Sequence, residues 1–460
     1  MNAVGLLSAA LLACVVGCSS GPAAHAGSVR VVEGPIVLHG NIRQQWGGHT
    51  FGYLLEGKQG VFWSAAAYDP SETLGQTHLI VGQYPKPGSK LRPATTAIAI
   101  PSAPYPSAQL SGADAGWRVY NCNQPQMLRT PDGYIHLFFG AGYLTGDDSF
   151  KPGRLRYYRS AKPEDISTLV DCTPLIPTTH YDCFHLRMNV GISPDGKRMA
   201  LVVLAFSREN KFGFNTPVVF VGKRVGLDFK FADPVSYAEP MGFFYPQVAA
   251  TDAGIVLVGQ EWGNHDRCFP RLMHIGWDGT MLHREDLPME VDGSYMPVDM
   301  RPRGKDFNRL LIYCSRNPKD KTGCSHDVWQ YEVQTRRLHR LNSVACDYSQ
   351  SNGAKLVVTP SGQCLLINDP SMGPLYSWEG DVLGGGSVSQ AAIPGGDPLK
   401  MGYKAMAYMF VPNMLYGSVP TGDEFYLASD CANADWENGK PGPFSFLLWR
   451  MTCSDASRKP

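Results

Sequence analysis

The chain is rich in residues that interrupt helices and poor in charge. Of its 460 residues, 49 are glycine and 35 are proline, about 18% together where average usage gives roughly 12%. The apolar fraction of 43% is too high for a disordered chain, and this glycine and proline content excludes a coiled coil or a helical array. The 41 basic residues balance the 41 acidic ones, so the basic excess that nucleic-acid binding needs is absent and no nucleic-acid partner is expected.

The first residues predict an exported protein. Residues 5–17 form an apolar run of signal-peptide length that is too short to span a bilayer. The small residues before Cys18 resemble the bacterial lipobox, in which the cysteine becomes the lipidated N-terminus. Plain secretion with cleavage near residues 24–26 is the alternative. We expect residues 1–26 to be a signal peptide and short linker, and the protein to be a cell-envelope lipoprotein, periplasmic or at the cell surface, that meets the membrane only through its lipid.

The cysteine count agrees with export. The chain has 12 cysteines, of which Cys14 and Cys18 belong to the predicted signal segment. The other ten, an even number, fit disulfide formation in an oxidising compartment. The chain has no CxxC motif, so a zinc ribbon or a thioredoxin-like site has no support. Connectivity does not follow from sequence, but pairing nearest neighbours predicts Cys172–Cys183, Cys314–Cys324, Cys346–Cys364 and Cys431–Cys453.

A hairpin pattern recurs along the whole chain. Its best copy is residues 125–139, where the turn Pro131-Asp132-Gly133 separates two apolar runs. Such a turn predicts a β-hairpin, because glycine adopts the positive φ that tight turns need. Successive copies are separated by 73, 63, 58, 50, 58 and 60 residues. They are centred on the turn glycines 60, 133, 196, 254, 304, 362 and 422.

Seven evenly spaced hairpins predict an all-β, seven-bladed β-propeller over residues 27–460. Most copies are followed by a third apolar strand, such as residues 154–158 or 217–221, and a closed ring of blades leaves only short, protected strand edges. Residues 29–32 or 35–38 are expected to pair with residues 444–448 and close the ring. Two β-sandwiches are the alternative, which even spacing disfavours. We expect a monomer.

The copies resemble a known family. The hairpin around Gly133 and the segment Leu155–Asp165 that follows it are similar to the BNR repeats of bacterial sialidase-like seven-bladed propellers. Tyr245-Pro246-Gln247 resembles a Tyr-Pro-Arg motif of that group. Its members with known activity include ulvan lyases and enzymes that cut rhamnose–glucuronate linkages. The resemblance therefore implies a secreted protein that acts on a polysaccharide containing uronate or rhamnose.

The resemblance also maps onto catalytic positions. The tyrosine of the ulvan lyases corresponds to Tyr245, whereas their two histidines correspond to Cys122 and Gly142, and their arginine to Glu261. Rhamnose-cleaving members depend on a histidine that His49 matches. The resemblance is therefore compatible with a polysaccharide lyase or with a glycoside hydrolase. A non-catalytic glycan-binding lipoprotein is the alternative.

Candidate site residues cluster where the predicted inner strands begin and the second strands end. His49 has the pKa suited to proton transfer near neutrality, and Tyr245 is a second candidate acid or base. Arginines bind carboxylates bidentately, aromatic rings cover the C–H faces of sugars, and polar side chains bind hydroxyls. The expected substrate-binding residues are Trp46, Gln124, Arg187, Asn189, Arg208, Glu261, Trp262 and Arg316.

Each candidate also has a purely structural reading. Trp46 and Trp262 could be core residues, and the arginines could form ion pairs between blades. Glu261 with Asp299, Asp369 or Asp430 would be a glycosidase carboxylate pair. No ligand spacing for a metal is apparent, so no catalytic metal or cofactor is expected, and a structural calcium ion stays open. A propeller that binds proteins is a third functional class, since fold does not fix function.

Overall fold

The strands of this protein form seven blades around one axis. The computed structural model describes part of the chain. The described residues are 28–42, 53–66, 79–98, 123–144, 150–177, 180–181, 187–206, 215–237, 243–263, 267–287, 293–318, 320–347, 354–360, 362–368, 375–380, 382–384, 388–422, 424–435 and 444–454.

The first three blades are antiparallel sheets whose strands follow one another in the chain. In blade 1 these are β2 to β5: Leu54–Glu56, Gly60–Ala66, Leu79–Pro85 and Ala94–Ile98. Blade 2 contains β6 to β10: Asn123–Arg129, Ile135–Leu144, Phe150–Lys162, Asp165–Asp171 and His180–Tyr181. Blade 3 contains β11 to β15: Arg187–Ile192, Arg198–Phe206, Asn215–Val225, Asp228–Phe231 and Val235–Ser236.

Blades 4 to 6 are also built from antiparallel strands that follow one another in the chain. Blade 4 contains β16 to β19: Phe243–Thr251, Gly254–Gly263, Arg267–Ile275 and Met281–Asp286. Blade 5 contains β20 to β23: Gly293–Arg303, Asp306–Pro318, Ser325–Glu332 and Arg337–Ala345. Blade 6 contains β24 to β27: Lys355–Val358, Cys364–Asn368, Tyr376–Gly380 and Val388–Ala392. Short 3₁₀ turns are Thr173–Leu175, Pro398–Met401 and Met414–Tyr416.

Blade 7 joins the two ends of the described chain. Its inner three strands are β28 to β30: Ala405–Phe410, Glu424–Ala432 and Phe444–Ser454. The outermost strand is β1 (Ser28–Ile42), which runs antiparallel to β30 from Ser28 opposite Ser454 to Ile42 opposite Phe444. The predicted ring closure is therefore confirmed: residues 36–37 pair with residues 447–448 as expected, whereas residues 29–31 pair further along β30, with residues 451–453.

The predicted turn glycines explain where the hairpins reverse. Gly133 has a φ of 98° and Gly196 a φ of 69°. The N–H of each donates to the carbonyl three residues earlier, at 2.8 Å in both turns. Gly60 differs, because it begins β3 instead of occupying a turn with positive φ. The loosest copy of the sequence pattern is thus also the one whose glycine has another role.

Apolar side chains fill the space between neighbouring blades. Between blades 2 and 3, the ring of Phe138 stacks on Tyr157 with centroids 4.5 Å apart and meets Phe231 edge-on at 6.0 Å. All three are buried. No helix among the described residues has the length and apolar character of a membrane span.

The predicted disulfide pairs are wrong where the structure describes both partners. No disulfide joins the cysteines whose side chains are described. Cys431 lies opposite Ser445, eight residues and about 26 Å along β30 from Cys453, whereas a disulfide needs Cα atoms within about 7 Å. Proximity in sequence misleads here, because a β-strand carries near neighbours to opposite ends of a blade.

The pair Cys314–Cys324 fails for the same reason, because Cys314 lies opposite Asp327, three residues along the chain from Cys324. Cys346 and Cys364, on blades 5 and 6, are not joined by a disulfide either. Cys183 lies outside the described residues, so the pair Cys172–Cys183 is not addressed.

Candidate functional site

The ring has two faces that the strand directions define. We call the side where the innermost strands begin the upper face, and the side where they turn into the second strands the lower face. The innermost strands are β2, β6, β11, β16, β20, β24 and β28. All run in the same direction across the ring, so their starting residues gather at the upper face.

A loop of blade 7 crosses the lower end of the central channel. This loop, residues 411–420, connects β28 to β29 and includes the 3₁₀ turn Met414–Tyr416; we call it the plug. On blade 5, the Asn413 side-chain amide donates to the Met300 carbonyl at 2.8 Å. The Arg301 guanidinium donates to the carbonyls of Val411, at 3.2 Å, and Pro412.

The plug also binds the blades on the other side of the channel. Tyr416 is buried and hydrogen-bonds the side chain of Asn189 on blade 3. Gly417 lies so close to blade 2 that a Cβ there would be 1.8 Å from the Arg129 carbonyl oxygen. The Val419 N–H donates to the Glu56 carbonyl on blade 1 at 2.8 Å. One loop therefore ties four blades together and covers the lower end of the channel.

A buried ion pair supports the last contact of the plug. Lys86 lies 2.6 Å from the carboxylate of Glu56 and also donates to the Val419 carbonyl at 3.3 Å. Burial raises the pKa of Glu56 to about 7 against the opposing effect of Lys86. Lys86 therefore ties the Glu56 carboxylate of blade 1 to the plug, so this pair belongs to the scaffold.

Polar residues recur at one level of the inner strands. Gln126, Asn189, Gln247 and Lys355 each lie seven residues before the turn glycine of their blade, and all four are buried. The Asn189 amide donates to the Pro246 carbonyl of the next blade at 2.8 Å. The resulting polar level joins neighbouring inner strands and lies between the plug and the upper face.

Just above this level, the pairing of two inner strands with their neighbouring strands shifts in the same way. The pairing of β6 with β7 shifts between Asn123 and Gln126, and that of β16 with β17 shifts between Phe244 and Gln247. A proline stands inside each shift, at positions 125 and 246, and proline cannot donate to a β-ladder. The residues before these prolines, Gln124 and Tyr245, are predicted site residues. β-Bulges re-aim side chains and are frequent beside active sites.

Opposite charges meet at the polar level on blades 5 and 6. Asp299 is buried and accepts from the Arg301 Nε at 2.9 Å and from the Leu356 N–H at 3.3 Å. Burial lowers the pKa of the adjacent Lys355 to about 8, with Arg301 acting in the same direction and Asp299 in the opposite one. Because Arg301 also holds the plug, this cluster couples the channel wall to the channel floor.

The structure gives the backbone positions of several further candidates. Arg187 is the first residue of β11, next to the bulges of blades 2 and 4 in the ring. Glu261 lies opposite Phe243, and Trp262 lies opposite Cys268. These residues, with Gln124 and Tyr245, lie on blades 2, 3 and 4 at the upper face.

Two candidates have described side chains. Asn189 is buried, and its side chain bonds Pro246 and the Val190 N–H within the protein. Arg316, on β21 opposite Tyr295, is half-buried and donates to the Gly323 carbonyl at 3.1 Å. Trp46, His49 and Arg208 lie outside the described residues. Within the described part of the chain, no group of three or more metal-ligating side chains comes together.

Comparison with solved structures fits this architecture. The chain is similar to a polysaccharide lyase, Uly1, with 12% identity and a TM-score of 0.50 over 88% of this chain and 90% of that one. This protein is a seven-bladed β-propeller. An α-L-arabinanase from Penicillium chrysogenum has 12% identity and a TM-score of 0.43 over 72% and 94% of the two chains. A scan against protein-family models finds no match, and a search of curated proteins finds no similar sequence.

Apart from Asn189, the residues of the polar level and the plug were not predicted from the sequence. A signal for the polar level was present, because Gln126, Asn189, Gln247 and Lys355 share one spacing to the turn glycines within otherwise apolar strands. The plug had no such signal. Its residues matter through contacts with blades that are distant in the chain.

Proposed function

We propose that this protein cleaves a polysaccharide containing uronate or rhamnose, and that the substrate binds at the upper face. The observation that carries the proposal is the bulge that places Tyr245 on an inner strand above the polar level. The matching bulge at Gln124 and the backbone position of Arg187 between them support it. Because the plug covers the lower end of the channel, the proposal assigns substrate entry to the upper face.

The proposed chemistry is proton transfer beside a neutralised carboxylate. His49 or Tyr245 acts as base or acid, while Arg187, Arg208 and Arg316 bind the uronate carboxylate. Trp46 and Trp262 stack on sugar rings, and Gln124 and Glu261 complete the sugar contacts; Asn189, predicted as a contact, is buried and bonded within the protein instead. The arginines lower the cost of removing the proton next to the carboxylate, because they stabilise the negative charge that develops there.

Elimination and hydrolysis give different products. In elimination, the base removes the proton next to the carboxylate, the bond to the leaving sugar oxygen breaks, and that oxygen takes up a proton from the acid. The new sugar end then carries a carbon–carbon double bond conjugated with the carboxylate. In hydrolysis, water adds across the broken bond and the sugar stays saturated. The similarity in fold to a polysaccharide lyase makes elimination the first reaction to test.

The test is to incubate the purified protein with a panel of uronate- and rhamnose-containing polysaccharides. A rise in ultraviolet absorbance together with new reducing ends identifies a lyase, and new reducing ends without absorbance identify a hydrolase. Retention of the protein on an immobilised glycan without any product identifies a non-catalytic binding protein. Absence of both products and binding across the panel contradicts a glycan function.

We further propose that the chain is exported and lipidated at Cys18. The support is the apolar run followed by small residues and a cysteine. Expression in a bacterium fed a labelled fatty acid should give a labelled, membrane-associated protein, and Cys18→Ala should give an unlabelled one. Unlabelled wild-type protein, or label that persists in Cys18→Ala, contradicts the proposal.

A further inference from the structure

The strand pairing of blade 5 brings two cysteines together that the sequence had assigned to other partners. Cys324 directly precedes β22, and Cys346 directly follows β23. Ser325 and Ala345 are paired in this antiparallel ladder, so Cys324 and Cys346 form the next pair outward. The Cys346 N–H donates to the Cys324 carbonyl at 3.0 Å, which shows that the pairing continues to these residues.

We propose that Cys324 and Cys346 form a disulfide in the oxidised protein. Cα atoms of a hydrogen-bonded antiparallel pair lie about 5.5 Å apart, within the range of about 4.4–6.8 Å that disulfides span. Directly opposed residues also project from the same face of a sheet. Both side chains therefore project from one side of blade 5, at the end of the ladder.

The other described cysteines do not offer such a pair. Cys314 lies one strand inward and is fully buried opposite Asp327. Cys364 lies on blade 6 opposite Val358. Cys431 and Cys453 lie far apart on blade 7, opposite Ser445 and Val29 respectively. Among the cysteines with described side chains, Cys324 and Cys346 are thus the pair that the ladder itself aligns.

The reaction is a two-step exchange with a disulfide oxidant such as oxidised glutathione. One protein thiolate attacks the oxidant to form a mixed disulfide and releases one glutathione thiolate. The second protein thiolate then attacks the mixed disulfide and releases the other. The protein loses two protons and two electrons, and the oxidant becomes two glutathione molecules. Burial raises the pKa of Cys346 to about 12, so the exchange should be slow at neutral pH and faster at alkaline pH.

Peptide mapping tests the proposal without unfolding the protein. The folded full-length protein is incubated with oxidised glutathione, remaining thiols are alkylated, and the protein is digested with trypsin without reduction. Cys324 and Cys346 fall on separate tryptic peptides, residues 322–336 and 341–355, each with one cysteine. We expect these two peptides to appear as one linked species that reduction separates. Alkylated or glutathionylated peptides alone, or linkage of either to another cysteine, would overturn the proposal.

Two variants sharpen the result. In Cys346→Ser the linked species should disappear, whereas in the matched variant Cys364→Ser it should persist. Reduction should lower the Tm of oxidised wild type by roughly 2–6 °C, since the bond constrains the unfolded chain, and should leave the Tm of Cys346→Ser unchanged. An equal effect of reduction on wild type and Cys346→Ser would contradict a bond at this position. None of these measurements depends on the proposed glycan activity.

Discussion

At the scale of single residues, three buried histidines share one arrangement. In each, the Nδ1 atom bonds a tyrosine hydroxyl: His136 with Tyr157 at 2.8 Å, His274 with Tyr331 at 3.0 Å, and His326 with Tyr313 at 2.6 Å. The Nε2 atoms of His136 and His326 are buried without a hydrogen-bond partner. Burial lowers their pKa values to about 3, 4 and 4 respectively. These side chains are therefore neutral structural groups between strands.

These histidines should make the fold sensitive to acid. Their folded pKa values lie below the unfolded value of about 6.5. The stability that they contribute is thus present above pH 6.5 and is lost as the pH falls towards 4 and 3. In urea unfolding at a series of pH values, the free energy of unfolding of His136→Gln should fall less steeply with decreasing pH than that of wild type. The difference in slope should be up to about 1.4 kcal/mol per pH unit. His339→Gln, at an exposed position, is the control. Equal slopes in His136→Gln and wild type would contradict this role.

At the scale of elements, the plug makes one glycine indispensable. Gly417 has a φ of 80° and no room for a Cβ against Arg129. Gly417→Ala should therefore lower the free energy of unfolding by about 3 kcal/mol, through backbone strain and displacement of the plug. Gly402→Ala is the matched control. Gly402 also has a positive φ, of 90°, but no atom lies within 4 Å of the place that an added methyl group would take. This variant should lower the free energy of unfolding by about 1 kcal/mol. Similar losses in both variants, measured in urea, would show that the plug contact is unimportant.

The elements also show where sequence reasoning succeeds and where it fails. Hairpins at Gly133 and Gly196 were predictable, because the turn and both strands lie within the short segments 123–144 and 187–206 and the chemistry of each is local. Bulges at Gln124 and Tyr245 had a local cause in the following prolines. The pairing of Cys324 with Cys346 was not predictable, because it depends on which residues two strands align. The plug depends on contacts across the ring.

At the scale of the whole molecule, β1 closes the ring. It covers the edge of β30 over its full length and buries Val29 and Ile42. Deletion of residues 1–42 should leave β30 as an exposed edge, which favours aggregation. Deletion of residues 1–26 should leave the fold intact. Size-exclusion chromatography and thermal unfolding distinguish the two variants, and a monomeric, equally stable protein without β1 would contradict the closure.

The whole ring was predictable from the sequence because seven local signals repeat at nearly constant spacing. The candidate site was predictable only in outline. Backbone positions such as those of Arg187 and Tyr245 follow from the repeat, whereas the polar level around Lys355 emerges only when neighbouring blades are packed together. Asn189 illustrates the difference: its position was predicted, but its bonds to Pro246 and Tyr416 depend on two other blades.

The central claim is that the upper face of the propeller is a glycan-cleaving site in which Tyr245 takes part. The most direct measurement is the initial rate of polysaccharide cleavage by Tyr245→Phe beside Tyr134→Phe, which removes a hydroxyl from the lower-face turn of blade 2. Loss of a positioned acid or base lowers the rate by about 10²–10⁴-fold. We predict such a loss for Tyr245→Phe and a wild-type rate for Tyr134→Phe. A wild-type rate for Tyr245→Phe, in a protein whose thermal unfolding is unchanged, would contradict the claim.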